Sequence, residues 1–208
     1  MPEPVKSRRR YHSPARAERL DATRTAILDS ARRMFGRHGY AGTKMDQIAE
    51  DSGLAVQTVY KLFRSKSGVL AALALNLPVD ELADLERKAL ENPDPRRQLA
   101  IVARRSRLFA ERSADLVEMV REGRRTDAEL AAFNDRGEAG RRAGARQQIA
   151  ALVRKTRLRR GLGRDQATDI LWLLAGPDTY IPLVGTAGWS GARYERWLRE
   201  TLVRELLG

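Results

Sequence analysis

The sequence contains no cysteine, only two histidines and few aromatic residues. Without cysteine the chain has no disulfide, thiolate metal site or cysteine nucleophile, which fits a reducing cytoplasm. The histidines, His12 and His38, lie outside any acid–base arrangement or metal-ligand spacing, and glycine-rich phosphate loops are missing too. We therefore expect no catalytic residues, no metal, no cofactor and no enzymatic activity. The charged first residues also predict no secretory signal, so we expect a cytoplasmic protein.

Long apolar runs are scarce as well. Residues 170–189 have the length of a membrane span, but Asp178 lies in this stretch and prolines and glycines interrupt it. A central aspartate costs about 2.5–3.5 kcal/mol on insertion scales. We therefore favour a core or interface helix over a membrane helix, and we expect no membrane partner.

Positive charge, in contrast, is in excess. The chain has 39 Lys and Arg against 27 Asp and Glu, a net charge of +12, and residues 1–70 hold 14 of the former and 7 of the latter. This excess indicates an anionic partner, either nucleic acid or an anionic membrane surface. The hydrophobic fraction of 42% is sufficient for a globular core.

Residues 1–20 mix Pro, Ser and Arg with almost no large apolar side chains, and they predict a basic flexible arm. Helical periodicity begins at Thr23, where Asp21 or Thr23 could cap a first helix that ends at Gly39. We expect a second helix from Thr43, whose hydroxyl would cap it, to Ser52. A third follows over residues 56–63, and a fourth begins at the N-cap Ser65.

Further helices are predicted at residues 79–91, 95–112, 114–123, 127–158, 165–186 and 190–207. No segment shows the alternation of a strand. The predicted fold class is therefore all-α.

One spacing is informative about function. It consists of a small residue, a turn glycine and apolar residues at fixed distances: Ile48, Ala49, Gly53, Leu54, Val59 and Leu62. Two short helices that cross steeply through a tight turn need this pattern. It predicts a helix-turn-helix whose second helix is free to enter a major groove, although an ordinary helical hairpin would share the bare spacing.

The run from Thr23 to Leu73 resembles the TetR family of transcriptional regulators. The resemblance is carried by Phe35, His38-Gly39-Tyr40, the segment Thr43–Ala49, Gly53-Leu54 and the segment Thr58–Lys66. The sequence departs from the family at Ala55 and Val56, where Ser or Thr and a polar residue are frequent, and at Arg64, where Pro is common. The operator sequence therefore cannot be carried over from the family.

The resemblance implies a DNA-binding domain at residues 21–70 and an effector-binding and dimerisation domain at 71–208. Tyr60, Lys66 and Thr43 would contact phosphates, while Gln57, Thr58 and Lys61 would reach base edges. For Tyr60, Thr43 and Lys66 the respective alternatives are packing, a helix cap and a solvated charge. Arg24 is a weaker phosphate candidate.

The family usually places an apolar cavity in the helical bundle and dimerises through its last two long helices. Candidate cavity walls are Phe109, Met119, Phe133 and Trp172, although such residues at helical spacing also form ordinary cores. Arg104 and Arg105 could meet an acidic effector or could form a solvated face. For the dimer, we expect two sets of apolar residues to pack against each other and against the partner's copies. The first set is Leu171, Leu174, Ile181 and Leu183, and the second, in the last helix, is Tyr194, Trp197, Leu198, Leu202 and Leu206.

The expected function is thus a ligand-responsive, sequence-specific regulator of transcription, a repressor that binds a palindromic double-stranded DNA operator as a homodimer. The expected partners are the operator, a second copy and a small-molecule effector. Two alternatives are an enzyme, which would need a polar cluster that the sequence lacks, and a non-specific architectural DNA-binding protein, which would use the same charge without a recognition helix.

Overall fold

A computed structural model describes residues 14–208, with side chains from residue 17 onward. The described chain is helical, and no strand occurs in it, which confirms the all-α class. Its helices are α1 (Pro14–Gly42), α2 (Met45–Ser52), α3 (Val56–Phe63), α4 (Lys66–Leu75), α5 (Asp80–Glu91), α6 (Pro95–Gly123), α7 (Ala128–Val153), α8 (Arg164–Leu174), α9 (Pro177–Tyr180), a π-helical segment (Ile181–Thr186) and α10 (Gly191–Leu206). The chain divides into two compact units, with the division between Val69 and Leu70.

The first unit packs α2 against both α1 and α3. Helix α1 begins at Pro14, well before the predicted start at Thr23. Asp21 and Thr23 both lie within this helix, so neither of them is its N-cap. The Thr23 hydroxyl donates to the carbonyl of Arg19 at 2.7 Å. The predicted arm is therefore helical over residues 14–20, and the rest of it lies outside the described residues. The break predicted at Gly39 is confirmed by its φ of 67° and ψ of 177°.

The second unit is built around the long helix α6, which packs against α5, α7 and α10. Its core includes Leu99, Val102, Ile149 and Leu171, together with Tyr194, Leu198, Leu202 and Leu206 of α10. The predicted break of α6 near residue 113 is wrong. Ser113 is buried inside the helix, and its hydroxyl donates to the carbonyl of Phe109 at 2.8 Å, so this polar residue needs no turn.

The predicted helix at 165–186 is interrupted. Gly176 has a ψ of 167°, because the ring of Pro177 excludes the helical conformation for the preceding residue, and α9 starts afresh at Pro177. The apolar stretch at 170–189 is thus divided among three short elements. Within residues 14–208, no helix has the length and apolar character needed to cross a membrane.

Candidate nucleic-acid interface and effector cavity

The turn between α2 and α3 has the geometry that its sequence spacing predicts. Gly53 ends α2 in the left-handed conformation, with φ 68° and ψ 21°. The N–H groups of Gly53 and Leu54 return to the carbonyls of Glu50 and Ala49 at 3.1 and 3.0 Å. Ala49 and Val59 are buried where the two helices meet. The spacing therefore produces a helix-turn-helix.

Two polar contacts hold α2 on α1. The buried hydroxyl of Ser30 donates to the carbonyl of Ile48 at 2.9 Å, and Arg33 donates to Asp51 through Nε and a terminal nitrogen at 3.1 and 2.6 Å. The sequence pattern predicted neither contact. The burial of Ser30 could have been predicted from the sequence, because this serine lies on the inward face of α1, whose other residues are apolar.

The outer face of α3 carries most of the residues that we expected to reach DNA. Gln57 and Lys61 are exposed, Thr58 is half-buried, and the ring of Tyr60 is 46% exposed although it is large and partly apolar. On the opposite side Val59 and Phe63 are buried. One face of α3 thus presents amide, hydroxyl, phenol and ammonium groups on a helix whose other face is fixed in the core.

Thr43 has a different role from the predicted one. Its hydroxyl is buried and donates to the carbonyls of Gly39 and Met34 at 2.8 and 3.2 Å. The N-cap of α2 is Lys44, whose backbone N–H donates to the Gln47 side chain at 2.8 Å. Since the Thr43 hydroxyl is used in closing the end of α1, we do not retain Thr43 as a phosphate contact or as a cap.

Lys66, another predicted phosphate contact, is half-buried and bridges two parts of the domain. Its ammonium group donates to the carbonyls of Tyr40 and Thr43 at 2.7 and 2.9 Å, and it lies 4.3 Å from the centroid of the Tyr40 ring. Lys66 therefore joins the start of α4 to the end of α1. Arg24 is also engaged, because its guanidinium carbon lies 4.9 Å from the centre of the Phe63 ring.

The turn from α3 to α4 is tight. Arg64 takes a φ of 66°, which is uncommon for a residue with a side chain, and a Cβ on Gly68 would meet the carbonyl oxygen of Phe63 at 2.0 Å. Ser65 caps α4 as predicted, accepting a hydrogen bond from the Gly68 N–H at 3.0 Å. Glycine at position 68 thus allows the carboxyl end of α3 to approach α4.

In the second unit, the predicted cavity residues divide between two neighbouring cavities. The larger, of about 440 Å³, is lined by residues of α5, α6, α7 and α8 that include Phe109 and Trp172. A smaller one of about 190 Å³ is lined by Phe109 and Phe133 among others. Met119 is half-buried and lines neither, so we do not retain it as a cavity residue.

The last helix packs with Leu171 in one core, as predicted, but it differs from the prediction in the part concerning the partner copy. Tyr194, Leu198, Leu202 and Leu206 are fully buried in the core of their own chain, mainly because α10 packs on α6. They are therefore not available to a partner copy. Trp197 remains half-buried, and Leu173 of α8 is 51% exposed.

A short helix-turn-helix with a polar outer face defines a DNA-binding domain of the helix-turn-helix class. Residues 27–73 match the family described as bacterial regulatory proteins, tetR family. The resemblance seen in the sequence is thereby confirmed over these residues.

A curated relative is the HTH-type transcriptional repressor SCO4008 of Streptomyces coelicolor, which is 32% identical over 68 residues, or 29% of this chain. The match spans only 35% of that protein. Two solved structures share the fold over most of both chains. NalD, the secondary repressor of an efflux pump in Pseudomonas aeruginosa, has a TM-score of 0.69 and 24% identity, with 91% of this chain and 98% of NalD covered.

FadR from Bacillus subtilis, a transcriptional regulator solved with stearoyl-CoA, also has a TM-score of 0.69, with 18% identity and with 86% of this chain and 97% of FadR covered. At these sequence identities, the similarity to NalD and FadR shows a shared fold and is limited to it.

Proposed function

We propose that the protein is a ligand-responsive, sequence-specific repressor of transcription that binds a palindromic operator as a homodimer. The observation that carries this proposal is the outer face of α3, where Gln57, Tyr60 and Lys61 are exposed on a TetR-type helix-turn-helix. A helix presented in this way can lie in a major groove. Under the proposal, residues 21–70 bind DNA and residues 71–208 bind the effector and the partner copy.

The residues of α3 divide into two kinds of contact. Gln57 suits adenine, and Lys61 suits guanine or a phosphate, whereas the phenol of Tyr60 donates to a phosphate and positions the domain. Thr58 is half-buried and would reach a base edge only from the side of the helix. This division assigns specificity to Gln57 and Lys61, and general affinity to Tyr60.

Two kinds of support favour regulation over catalysis. The relatives named above are regulators, two of them repressors by name and the third solved with a bound acyl-CoA. The second unit of this chain, in turn, contains a cavity large enough for a small molecule. We therefore assign the second unit to the binding of an effector in the cell's cytoplasm and not to a reaction.

The test measures binding of the full-length protein to the DNA upstream of its own gene by fluorescence anisotropy, with excess unrelated duplex as competitor. We expect Gln57→Ala to change the preference at particular base pairs by about 1–3 kcal/mol, and Tyr60→Phe to weaken all duplexes alike. Lys61→Ala removes one positive charge from α3. Its matched control is Lys88→Ala, which removes one positive charge from an exposed position of α5.

Equal binding to operator and competitor would contradict sequence-specific recognition and would support the architectural alternative, which the net charge of +12 could serve. Equal weakening by Gln57→Ala on every duplex would contradict a role for this residue in reading bases.

A further inference from the structure

The larger cavity has a charged wall. Glu86, Arg105 and Arg141 are its charged lining residues, and Glu138 pairs with Arg141 beside it. Whether such a cavity suits an anion, a cation or a neutral molecule depends on which of these charges already have partners.

Each carboxylate forms an ion pair with one guanidinium group. Glu86 accepts a hydrogen bond from the Gln148 side chain at 2.7 Å, and its other oxygen lies 2.8 Å from Arg105 Nε. Glu138 accepts from Arg141 at 2.8 Å and from the Trp172 indole N–H at 3.1 Å. Glu138 receives all of these bonds at Oε2, so the charge of each carboxylate is already offset by a guanidinium group.

The guanidinium groups, in contrast, have donors to spare. Arg105 makes no hydrogen bond to any residue of the described chain, because its buried Nε approaches Glu86 without hydrogen-bond geometry. Arg141 directs Nε and one terminal nitrogen at Glu138. Since each guanidinium carries five N–H donors, the cavity offers more donors than acceptors. This imbalance favours an anionic ligand.

Apart from Ser106, Gln147 and Gln148, the rest of the lining is apolar. Val102, Phe109 and Leu171 line the larger cavity next to the Trp172 ring. Phe109 and Arg141 also line the smaller cavity, whose other walls include Leu77, Leu116, Val120 and Phe133, together with Glu138, the partner of Arg141. The two cavities are therefore neighbours that share one aromatic and one cationic side chain, and a ligand with an apolar body could extend from the first to the second.

Two glycines of α7 leave room on the remaining side. A Cβ on Gly140 or Gly144 would meet no atom within 4 Å, so close packing does not require glycine at either position. A glycine inside a helix destabilises that helix relative to alanine. Their absence of side chains keeps this wall of the larger cavity open.

We propose that the larger cavity binds an amphipathic anion, a carboxylate on an apolar body, with the carboxylate at Arg105 and Arg141 and the body along Phe109 toward the smaller cavity. This inference rests on the proposed function, because it names the chemical class of the effector. A carboxylate there would give the Arg105 guanidinium the directed acceptor that Glu86 does not supply.

The test compares three ligands that share one apolar chain: decanoate and decyltrimethylammonium, each below its micelle concentration, and decanol below its solubility limit. Calorimetric titration of the full-length protein should show decanoate binding at least tenfold more tightly than either of the others. Equal binding of the three, or tighter binding of the ammonium compound, would overturn the proposal.

Three variants locate the anion. Arg105→Gln should weaken decanoate about tenfold or more, since a charge-assisted pair is lost, and should leave decanol unchanged. Arg104→Gln is the matched control, because Arg104 is the exposed neighbour on α6 and lies outside the cavity lining. Glu86→Gln should strengthen decanoate binding, because it removes the carboxylate that competes for Arg105. Unchanged affinity in both Arg105→Gln and Glu86→Gln would refute the assignment.

Operator binding is measured separately on the same preparations. Discrimination among the three ligands without any specific DNA binding would retain the anion site and reject the proposed regulator. Specific DNA binding without ligand discrimination would do the reverse.

Discussion

At the scale of single residues, Lys66 shows how a binding residue and a structural residue can share one sequence signal. Its ammonium group bonds two backbone carbonyls, those of Tyr40 and Thr43, at the end of α1. Hydrogen bonds to charged groups contribute about 1.5–3 kcal/mol to the stability of a folded protein. Lys66→Met should therefore lower the free energy of unfolding by about that amount, as measured by urea denaturation.

The control is Lys61→Met, which removes an exposed ammonium group from α3 and should leave stability nearly unchanged. A Lys66→Met variant of normal stability, whose log affinity for DNA depends less steeply on log salt by about 0.9, would instead make Lys66 a phosphate contact.

The residue scale is also where the sequence is least informative. The periodic pattern placed Tyr60 and Gln57 on an outer face, because side-chain direction follows from helical phase alone. It could not predict that the Thr43 hydroxyl turns back to Gly39 and Met34, or that Arg24 lies against Phe63. The first contact depends on how the chain leaves α1, and the second on how α1 packs beside α3, and helical periodicity predicts neither.

At the scale of elements, the contact between α1 and α2 has a predictable acid response. The hydrogen bond from Arg33 is the main cause that holds the pKa of Asp51 below its ordinary value. A carboxyl whose pKa is lower in the folded state stabilises the fold above its unfolded pKa of about 3.9, and this contribution is lost as the pH falls below that value.

Asp51→Asn should therefore flatten the loss of stability between about pH 4 and the lower pKa of the folded state, as measured by thermal unfolding across a pH series. Asp29→Asn, which removes an exposed carboxyl of α1, is the control and should keep the slope of the unchanged protein. Identical slopes in all three proteins would mean that the Arg33–Asp51 pair does not contribute to folding.

Helix boundaries were predictable where local chemistry determines them. Gly53 and Ser65 ended and capped their helices as expected, since a left-handed residue and a hydroxyl cap act over a few residues. The start of α1 and the continuity of α6 were not predictable in this way. Ser113 reads as a break in sequence, but tertiary burial and its bond to Phe109 keep it inside a helix.

At the scale of the whole molecule, the proposed homodimer requires a surface that the fold leaves uncovered. The four large apolar residues of α10 that face α6 are already buried. Leu173 of α8 remains 51% exposed, and Ile170, Leu174 and Trp197 are half-buried. A two-fold interface uses the same patch on both copies, so each substitution acts twice. The partner's contact is therefore expected at α8 and at the outer side of α10.

Leu173→Glu should raise the dimer dissociation constant at least tenfold, because two carboxylates would be desolvated in one interface at a cost of several kcal/mol. Sedimentation velocity across a concentration series measures the effect. The matched control is Leu75→Glu in α4, where the side chain is 75% exposed and no role in the dimer is proposed. If Leu75→Glu dissociated the dimer and Leu173→Glu did not, the interface would lie away from α8. If the unchanged protein were a monomer at all concentrations, operator binding by a preformed two-fold dimer would be excluded.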